Sequence, residues 1–503
     1  MLGRVSEEIH PRPLAIPGSV AASWQLLLPS WPWIVGLAAM LRALGSPLAL
    51  LHDPDTYLHI AAGRWMLAHH ALPSADPFSY TMAGAAWHPS EWLGEVILAA
   101  TYDAAAWGGV VVLTAACFGA AIGLLTWFLS RRLEPLPAVI AALAGAALVL
   151  PHLLARSHVL ALPLMVLWCG ALIAARDDER RPPWALLPVM ALWVNLHASF
   201  LFGIALAFYL GGEAALYPAA STTRAGEIRR WGLFVAATLA ASLLNANGVL
   251  ALTQPFRLMA MPALQSGFGE WLPANFAEFP ALEAWLLGLL ALGFASGARL
   301  RWTRIALVAG LTHMALAHVR HADLLGLVGP LAIASGVGPS LAALTRSAAA
   351  SPLLRAAARL ARPAQLPAQL LMLALGVVVS LPVLLRPIDR AADAVTPQAA
   401  LAAARRMNLT GPVFNSEAFG GYLIFSGVPV FIDGRVELYG NDFLAAYLAA
   451  ERGDRATLAG LLDRYHVAWV LLQAGSPAVA ALDRLPGWQR VYADEQAVID
   501  VRN

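Results

Sequence analysis

The chain has 503 residues, 59% of them hydrophobic and only 13% charged, and its mean hydropathy is positive. That is too apolar for a soluble protein and long enough for many membrane spans, so the expected class is a polytopic integral membrane protein. Net charge is only +2 and no lysine is present, which gives no case for nucleic-acid binding and excludes a Walker A phosphate loop or Schiff-base chemistry.

The first residues, MLGRVSEEIHPRPLAIPGSV, lack the basic-then-apolar pattern of a cleaved signal. The first span, Trp31 to Leu51, is therefore expected to act as an uncleaved anchor, with Arg42 inside it snorkelling or facing a polar cavity. A first outer loop, 52–106, follows. Pro54 restricts Asp53 to extended backbone and can start a helix, and Thr56 to His69 reads as an amphipathic helix on the membrane surface. Asp55 and His59 share one face of it. An aspartate here suits a general base, or with the second carboxylate and His59 a ligand set for a divalent cation; Asp55 can equally be a helix cap. Farther on, Trp87, His88, Glu91 and Trp92 open a second surface helix, with Glu91 and Glu95 one turn apart. Tryptophan beside carboxylate suits carbohydrate, although Trp is also the preferred interfacial residue.

Further spans are expected over Trp107 to Ser130, Pro137 to Leu154, Val159 to Ala175, Trp231 to Leu252, Ala281 to Ser296, Ile305 to Ala317, Leu324 to Ala342 and Leu366 to Leu385. The block Trp184 to Tyr217 is too long for one straight span, and VNLHAS in its middle suggests a hairpin of two short ones, giving about eleven in all. Cys117 and Cys169 both fall inside spans, so no disulfide framework is expected. Arginines concentrate at 131–132, 176–181, 224–230, 299–304 and 346–362. In this register all five groups fall on one side, which the positive-inside rule makes cytoplasmic. The opening stretch, the Thr253 to Pro280 loop and the tail from Pro387 then lie on the outer face. Arg156, His158, Asn195, His197, Asn245, Asn247, His318, Arg320, His321 and Asp323 fall at outer helix ends, level with Asp53 and Asp55. Polar groups in lipid cost several kcal/mol unless paired, so this gathering points to one outward-facing pocket; snorkelling and helix capping are the alternatives for individual members.

From Pro387 charge rises and a soluble α/β domain is expected. Pro397 to Met407 reads as a helix and Gly411 to Phe414 as a strand, and GGYLIFSG and VPVFIDGR read as strands joined by a turn. Helices at Asp442 to Ala450, Asp454 to Tyr465 and Ala478 to Leu485, a strand at Val467 to Leu472 and a hairpin at Trp488 to Val501 complete it. Asn415, Glu417, Asp433, Arg435, Glu437 and Tyr439 fall at strand ends or turns, where acceptor recognition can reside; Asp433 and Arg435 can equally form a structural ion pair.

The segments DPDTYLH, PSADPFSYT, WHPSEWLGE, WVNLHASF and FIDGRVELYG recur in this order in a group of bacterial membrane proteins, and the topology resembles the GT-C superfamily of membrane glycosyltransferases. The resemblance implies an all-α membrane domain (1–386) carrying surface helices in its first outer loop, followed by an outer-face, periplasmic α/β domain (387–503), in the bacterial inner membrane. It implies transfer of a sugar from a polyprenyl-phosphate donor to a glycan, lipid or protein acceptor, with Asp53 or Asp55 as catalytic aspartate. An anionic headgroup at the outer interface calls for guanidinium contacts, for which Arg320 beside His321 is the leading candidate and Arg156 the second. Their alternative is a salt bridge to a loop carboxylate. The chain shows no second acidic motif in a later loop, which leaves a divalent cation open. A non-enzymatic lipid-glycan transporter or binding protein is the other class, but the internally repeated halves frequent among transporters do not appear.

Overall fold

The computed structural model describes residues 26–345, 357–390 and 393–503; the extreme N-terminus and part of the 346–362 loop, both read above from sequence, lie outside them. Among the described residues, five helices are long and apolar enough to cross a membrane: Trp92–Leu129, Pro135–His152, Ser157–Asp177, Val319–Ala343 and Leu366–Leu385. Shorter apolar helices, Trp31–Leu44, Trp184–Trp193, Phe200–Leu216 and Pro280–Ser296, accompany them. Close approach depends on small residues: a Cβ on Gly36 would stand 2.8 Å from the Gly119 carbonyl, and one on Gly145 would stand 2.4 Å from that of Gly326.

Several expected elements change. The first span breaks at Gly45–Ser46 into Trp31–Leu44 and Pro47–Leu51. The helix expected to run to Leu252 ends at Ser242, because Asn245 caps the turn that follows. The second surface helix is continuous with a span in Trp92–Leu129, and only Ala105 and Ala106 depart from helical backbone. Block Trp184 to Tyr217 is interrupted between Trp193 and Phe200, where Asn195 and His197 lie.

One helix measures the slab. Ser157–Asp177 spans 21 residues, about 30 Å at 1.5 Å per residue, close to the hydrocarbon thickness of a bilayer. Its last turn enters a cluster of arginine-loop residues: the fully buried Glu213 meets Arg176 at 3.3 Å and Arg304 at 2.9 Å, and Arg304 also meets Asp177 at 2.8 Å. Arg156, just before its first turn, belongs to a second polar cluster at the opposite end.

The C-terminal unit is a four-stranded sheet of order β1-β2-β4-β3, with β1 Val413–Asn415, β2 Trp469–Gln473, β3 Trp488–Ala493 and β4 Ala497–Arg502. β1 pairs parallel with β2 (Val413 with Trp469); β4 pairs antiparallel with β2 and β3. GGYLIFSG is not a strand: Glu417–Phe425 is a helix, and VPVFIDGR is irregular, touching the opening loop through the Ser79–Val430 bridge. The helix is apolar nearly all round because both sides are buried, so its composition resembles that of a strand. A Cβ on Gly420 would stand 2.5 Å from the Ile432 carbonyl, and one on Gly421 would stand 2.0 Å from that of Pro54.

That second contact seats the helix of the opening stretch. Pro54–His69 is not the amphipathic surface helix expected. Thr56 to Ile60 are all buried, because the helix is sandwiched between the C-terminal unit and Trp92–Leu129, where a Cβ on Gly63 would stand 2.1 Å from the Glu95 carbonyl.

The later part of the opening loop is clamped to the C-terminal unit by Arg435. Its guanidinium donates to Asp76 at 2.6 Å and to Asp433 at 2.8 and 2.7 Å, and lies over the Trp87 ring at 4.6 Å. Tyr439 donates to the same Asp433 at 2.7 Å. All three charges are buried, so removing the arginine leaves two carboxylates without their counter-ion. Arg435→Ala is expected to destabilise the protein by roughly 3–5 kcal/mol, read as thermal unfolding of the full chain in lipid nanodiscs; a loss below about 1 kcal/mol would show that the clamp does not hold the loop.

Candidate active site

Asp53 stands at the N-cap of Pro54–His69, and its Oδ1 accepts the Asp55 backbone N–H at 2.8 Å. The cap was expected, if anywhere, at Asp55; the structure gives it to Asp53 and frees the Asp55 carboxylate. Both converge on Arg156. Its Nε lies 3.4 Å from Asp53 and its Nη2 contacts Asp55. Asp55 is pressed from the other side by the C-terminal unit, since a Cβ on Gly434 would stand 2.1 Å from Asp55 Oδ1. FIDG and DPD thus meet, although nearly four hundred residues separate them.

Arg156 also reaches a third carboxylate, Glu270, at 3.3 Å, and Arg320 binds the other oxygen of Glu270 at 2.9 Å. Two guanidiniums are therefore bridged by one carboxylate. The Arg320 guanidinium lies over the Trp271 ring, 4.5 Å from its centre. Glu270 and Trp271 form the short 3-10 turn Gly269–Trp271, and His318 fixes it by placing Nδ1 2.6 Å from the Trp271 carbonyl. Sequence reasoning placed this loop on the outer face but passed over GEW; its one signal is an acidic residue between a glycine and a tryptophan in an apolar loop.

His59, on the same helix as the aspartates, turns to a different set of partners. Its Nδ1 lies 3.4 Å from Glu95 and its Nε2 3.9 Å from Glu91, and Glu91 in turn lies 3.5 Å from His197 Nε2. His158 packs near the His197 ring with centroids 5.9 Å apart. Trp92 donates to Asn195 at 2.8 Å, tying the helix that starts after Glu91 to the interrupted block.

Other sequence candidates fall outside these clusters. His88 is exposed. Asn245 donates to the Ser242 and Gly248 carbonyls and serves as a cap. His321 sits against the His318 ring, with Nδ1 3.4 Å from the Met314 carbonyl. Asp433 and Arg435 form the buried clamp and present no open surface. The ligand set Asp53, Asp55 and His59 does not assemble, because Arg156 stands against both carboxylates while His59 faces the glutamates. Among the described residues no three His, Cys, Asp or Glu side chains converge to hold a metal.

Burial dominates the local acid–base chemistry. It pushes the Asp53 carboxyl above its ordinary range, against the pull of Arg156 and His59. Burial works against the Arg156 charge as well, but Asp53 and Glu270 outweigh it and hold the guanidinium protonated. Glu270 is lowered: burial raises it, and Arg156 and Arg320 together prevail. From the C-terminal unit, Glu417 at the start of Glu417–Phe425 is pushed up by burial, and further by Glu451 and Asp53, to about 8.

Burial also lifts Glu91 to about 7 from an ordinary 4.5, with His59 opposing and Glu95 adding to the rise. The folded value is the higher one. The native state therefore holds this proton more tightly than the unfolded chain, and the resulting stabilisation is complete below the unfolded value and lost as pH rises through about 7. Glu91→Gln removes that dependence. Melting temperatures measured between about pH 5 and about pH 8 should vary less in the variant, which gains roughly 1–3 kcal/mol relative to the natural chain at the upper end. A constant offset at every pH would contradict the assignment.

No protein-family model matches the chain, and no curated protein matches it in sequence. Solved structures do match. An oligosaccharyltransferase, AglB from Archaeoglobus fulgidus, solved with an inhibitory peptide and a dolichol-phosphate, is 11% identical; the match covers 88% of this chain and 69% of that one, with a TM-score of 0.57. ArnT from Cupriavidus metallidurans in the apo state is 14% identical over 96% of this chain and 98% of that one, with a TM-score of 0.48.

Proposed function

From a chain that has the GT-C membrane-glycosyltransferase fold, we propose an enzyme of the outer membrane face that moves a sugar from a polyprenyl-phosphate-linked donor to a glycan, lipid or protein acceptor. The observation that carries the reading is the meeting of the DPD aspartates with Arg156, which Glu270 bridges to Arg320, at one end of the membrane helices. A fold shared with a protein solved with a dolichol-phosphate supports it.

The chemistry needs two kinds of group. An acceptor hydroxyl must lose its proton as its oxygen attacks the anomeric carbon, and a carboxylate raised by burial, such as Asp53, is better matched to take that proton than an ordinary one. As the new bond to the anomeric carbon forms, the bond to the phosphate oxygen breaks. Its electron pair leaves with the polyprenyl phosphate, which gains a negative charge. Arg156 and Arg320 would receive that charge, since guanidiniums bind phosphate oxygens in a bidentate manner. Asp55 orients Arg156. Inversion at the anomeric carbon follows from a single displacement.

On the same reading, the membrane is the bacterial inner membrane. The N-terminus and arginine-rich loops are cytoplasmic, the membrane domain comprises residues 1–386, and residues 387–503 form a periplasmic domain. The Ser157–Asp177 helix supports this sidedness by carrying the arginine-loop cluster at one end and the candidate site at the other.

Asp53→Asn and Asp55→Asn test the assignment. Sugar transfer by the full chain in nanodiscs, supplied with polyprenyl-phosphate sugars, should fall by at least about 100-fold in each. Full transfer by both variants would sink the catalytic role of the DPD turn.

A further inference from the structure

The two arginines proposed to receive the donor phosphate already hold an anion from the chain itself. Glu270 places Oε2 3.3 Å from Arg156 Nη1 and Oε1 2.9 Å from Arg320 Nη1. One carboxylate oxygen on each guanidinium is the arrangement in which two oxygens of a phosphate would bridge the same pair. Glu270 is not a buried structural anchor. Its side chain is 36% exposed, that of Arg320 31% and that of Arg156 24%, so the carboxylate is not locked in by surrounding protein. It lies on a 3-10 turn of three residues, and the preceding Leu250–Met259 and Pro262–Gly267 helices are too short to span a membrane.

Resting on the donor reading above, we propose that Glu270 is an internal competitor for the phosphate site, a residue that sets how tightly the arginine pair holds a prenyl phosphate. While Glu270 bridges the arginines the site cannot take a phosphate in the same place, so apparent affinity is reduced by the fraction of molecules in which Glu270 has swung away. The consequence is felt most by the product. Sugar transfer turns a phosphodiester into a monoester with more negative charge, which an unopposed arginine pair would retain. Return of Glu270 restores two charge-assisted contacts as the product departs, and turnover is not throttled by release.

The competitor role and the donor reading fail differently. The probe is farnesyl phosphate, titrated into the full chain in nanodiscs, with the thermal transition of each variant checked first. Glu270→Gln, which keeps shape and removes charge, is expected to bind the probe at least tenfold more tightly than the natural chain. Arg320→Ala should bind it at least tenfold more weakly. Unchanged or weaker binding by Glu270→Gln, alongside weakened binding by Arg320→Ala, overturns the competitor and leaves the donor site standing. Indistinguishable binding by all three chains overturns both. Glu270→Ala separates charge from shape: tightening in both Glu270 variants supports competition, whereas loosening in both assigns Glu270 to holding the arginines in place and overturns the proposal.

Discussion

Everything at the candidate site depends on an approach that only glycine permits. The C-terminal unit lays Gly421 on the carbonyl of Pro54 and Gly434 on the carboxylate of Asp55, at separations where any Cβ would collide. The DPD turn is therefore gripped by a body that begins more than three hundred residues later. The Arg435 clamp fastens the far end of the same loop. With the loop fixed at both ends, Asp53 and Asp55 face Arg156 in a set geometry, which is what positioning for a displacement requires. Desolvation follows from the same contact, since the domain that grips the turn also removes water from Asp53.

Charge is scarce in this chain, and the site uses it economically. Arg156 meets Asp53, Asp55 and Glu270, Arg320 meets Glu270, and Glu417 lies nearby. These groups answer burial in different directions: Asp53 and Glu417 are raised, while Glu270 is lowered because two cations share it. A set of carboxylates with separated proton affinities can divide acid, base and counter-ion roles among its members. With no lysine in the chain, every fixed cation is a guanidinium, whose planar fork suits both the internal carboxylate and an incoming phosphate.

Much of this was legible from sequence, because lipid imposes strong rules. The long apolar helices follow from hydropathy, and the expectation that polar residues gather at one set of helix ends follows from the cost of charge in a bilayer; of those residues Arg156 and Arg320 meet Glu270, whereas Asn245 caps a turn. DPD, Arg156 and Arg320 were visible as polar residues where a polar residue needs a reason. What failed was local and double-sided. Glu417–Phe425 looked like a strand and Pro54–His69 like a surface helix, since amphipathic periodicity fades once both faces of an element are covered. Asp433 and Arg435 stood at a turn open to either reading, and the structure buries them. Glu270 left almost no trace, because its importance comes from bridging Arg156 and Arg320, residues 114 and 50 positions away.

The surroundings of the arginine pair bear on why an amphiphile should come to it. The Leu250–Met259 helix and the turn before it leave Val249 63% and Phe256 63% exposed, a cost in water but none against acyl chains. The same loop then carries Glu270 and Trp271 to the guanidiniums. On the reading proposed above, a ligand with a prenyl tail and a phosphate head would use both kinds of surface, the apolar side chains for its tail and the arginine pair for its head. A soluble sugar nucleotide would gain nothing from the first of these. On the donor reading proposed above, residues 249–271 join an exposed apolar surface to Glu270, the carboxylate that bridges Arg156 and Arg320, an arrangement that suits an amphiphile better than a wholly polar ligand.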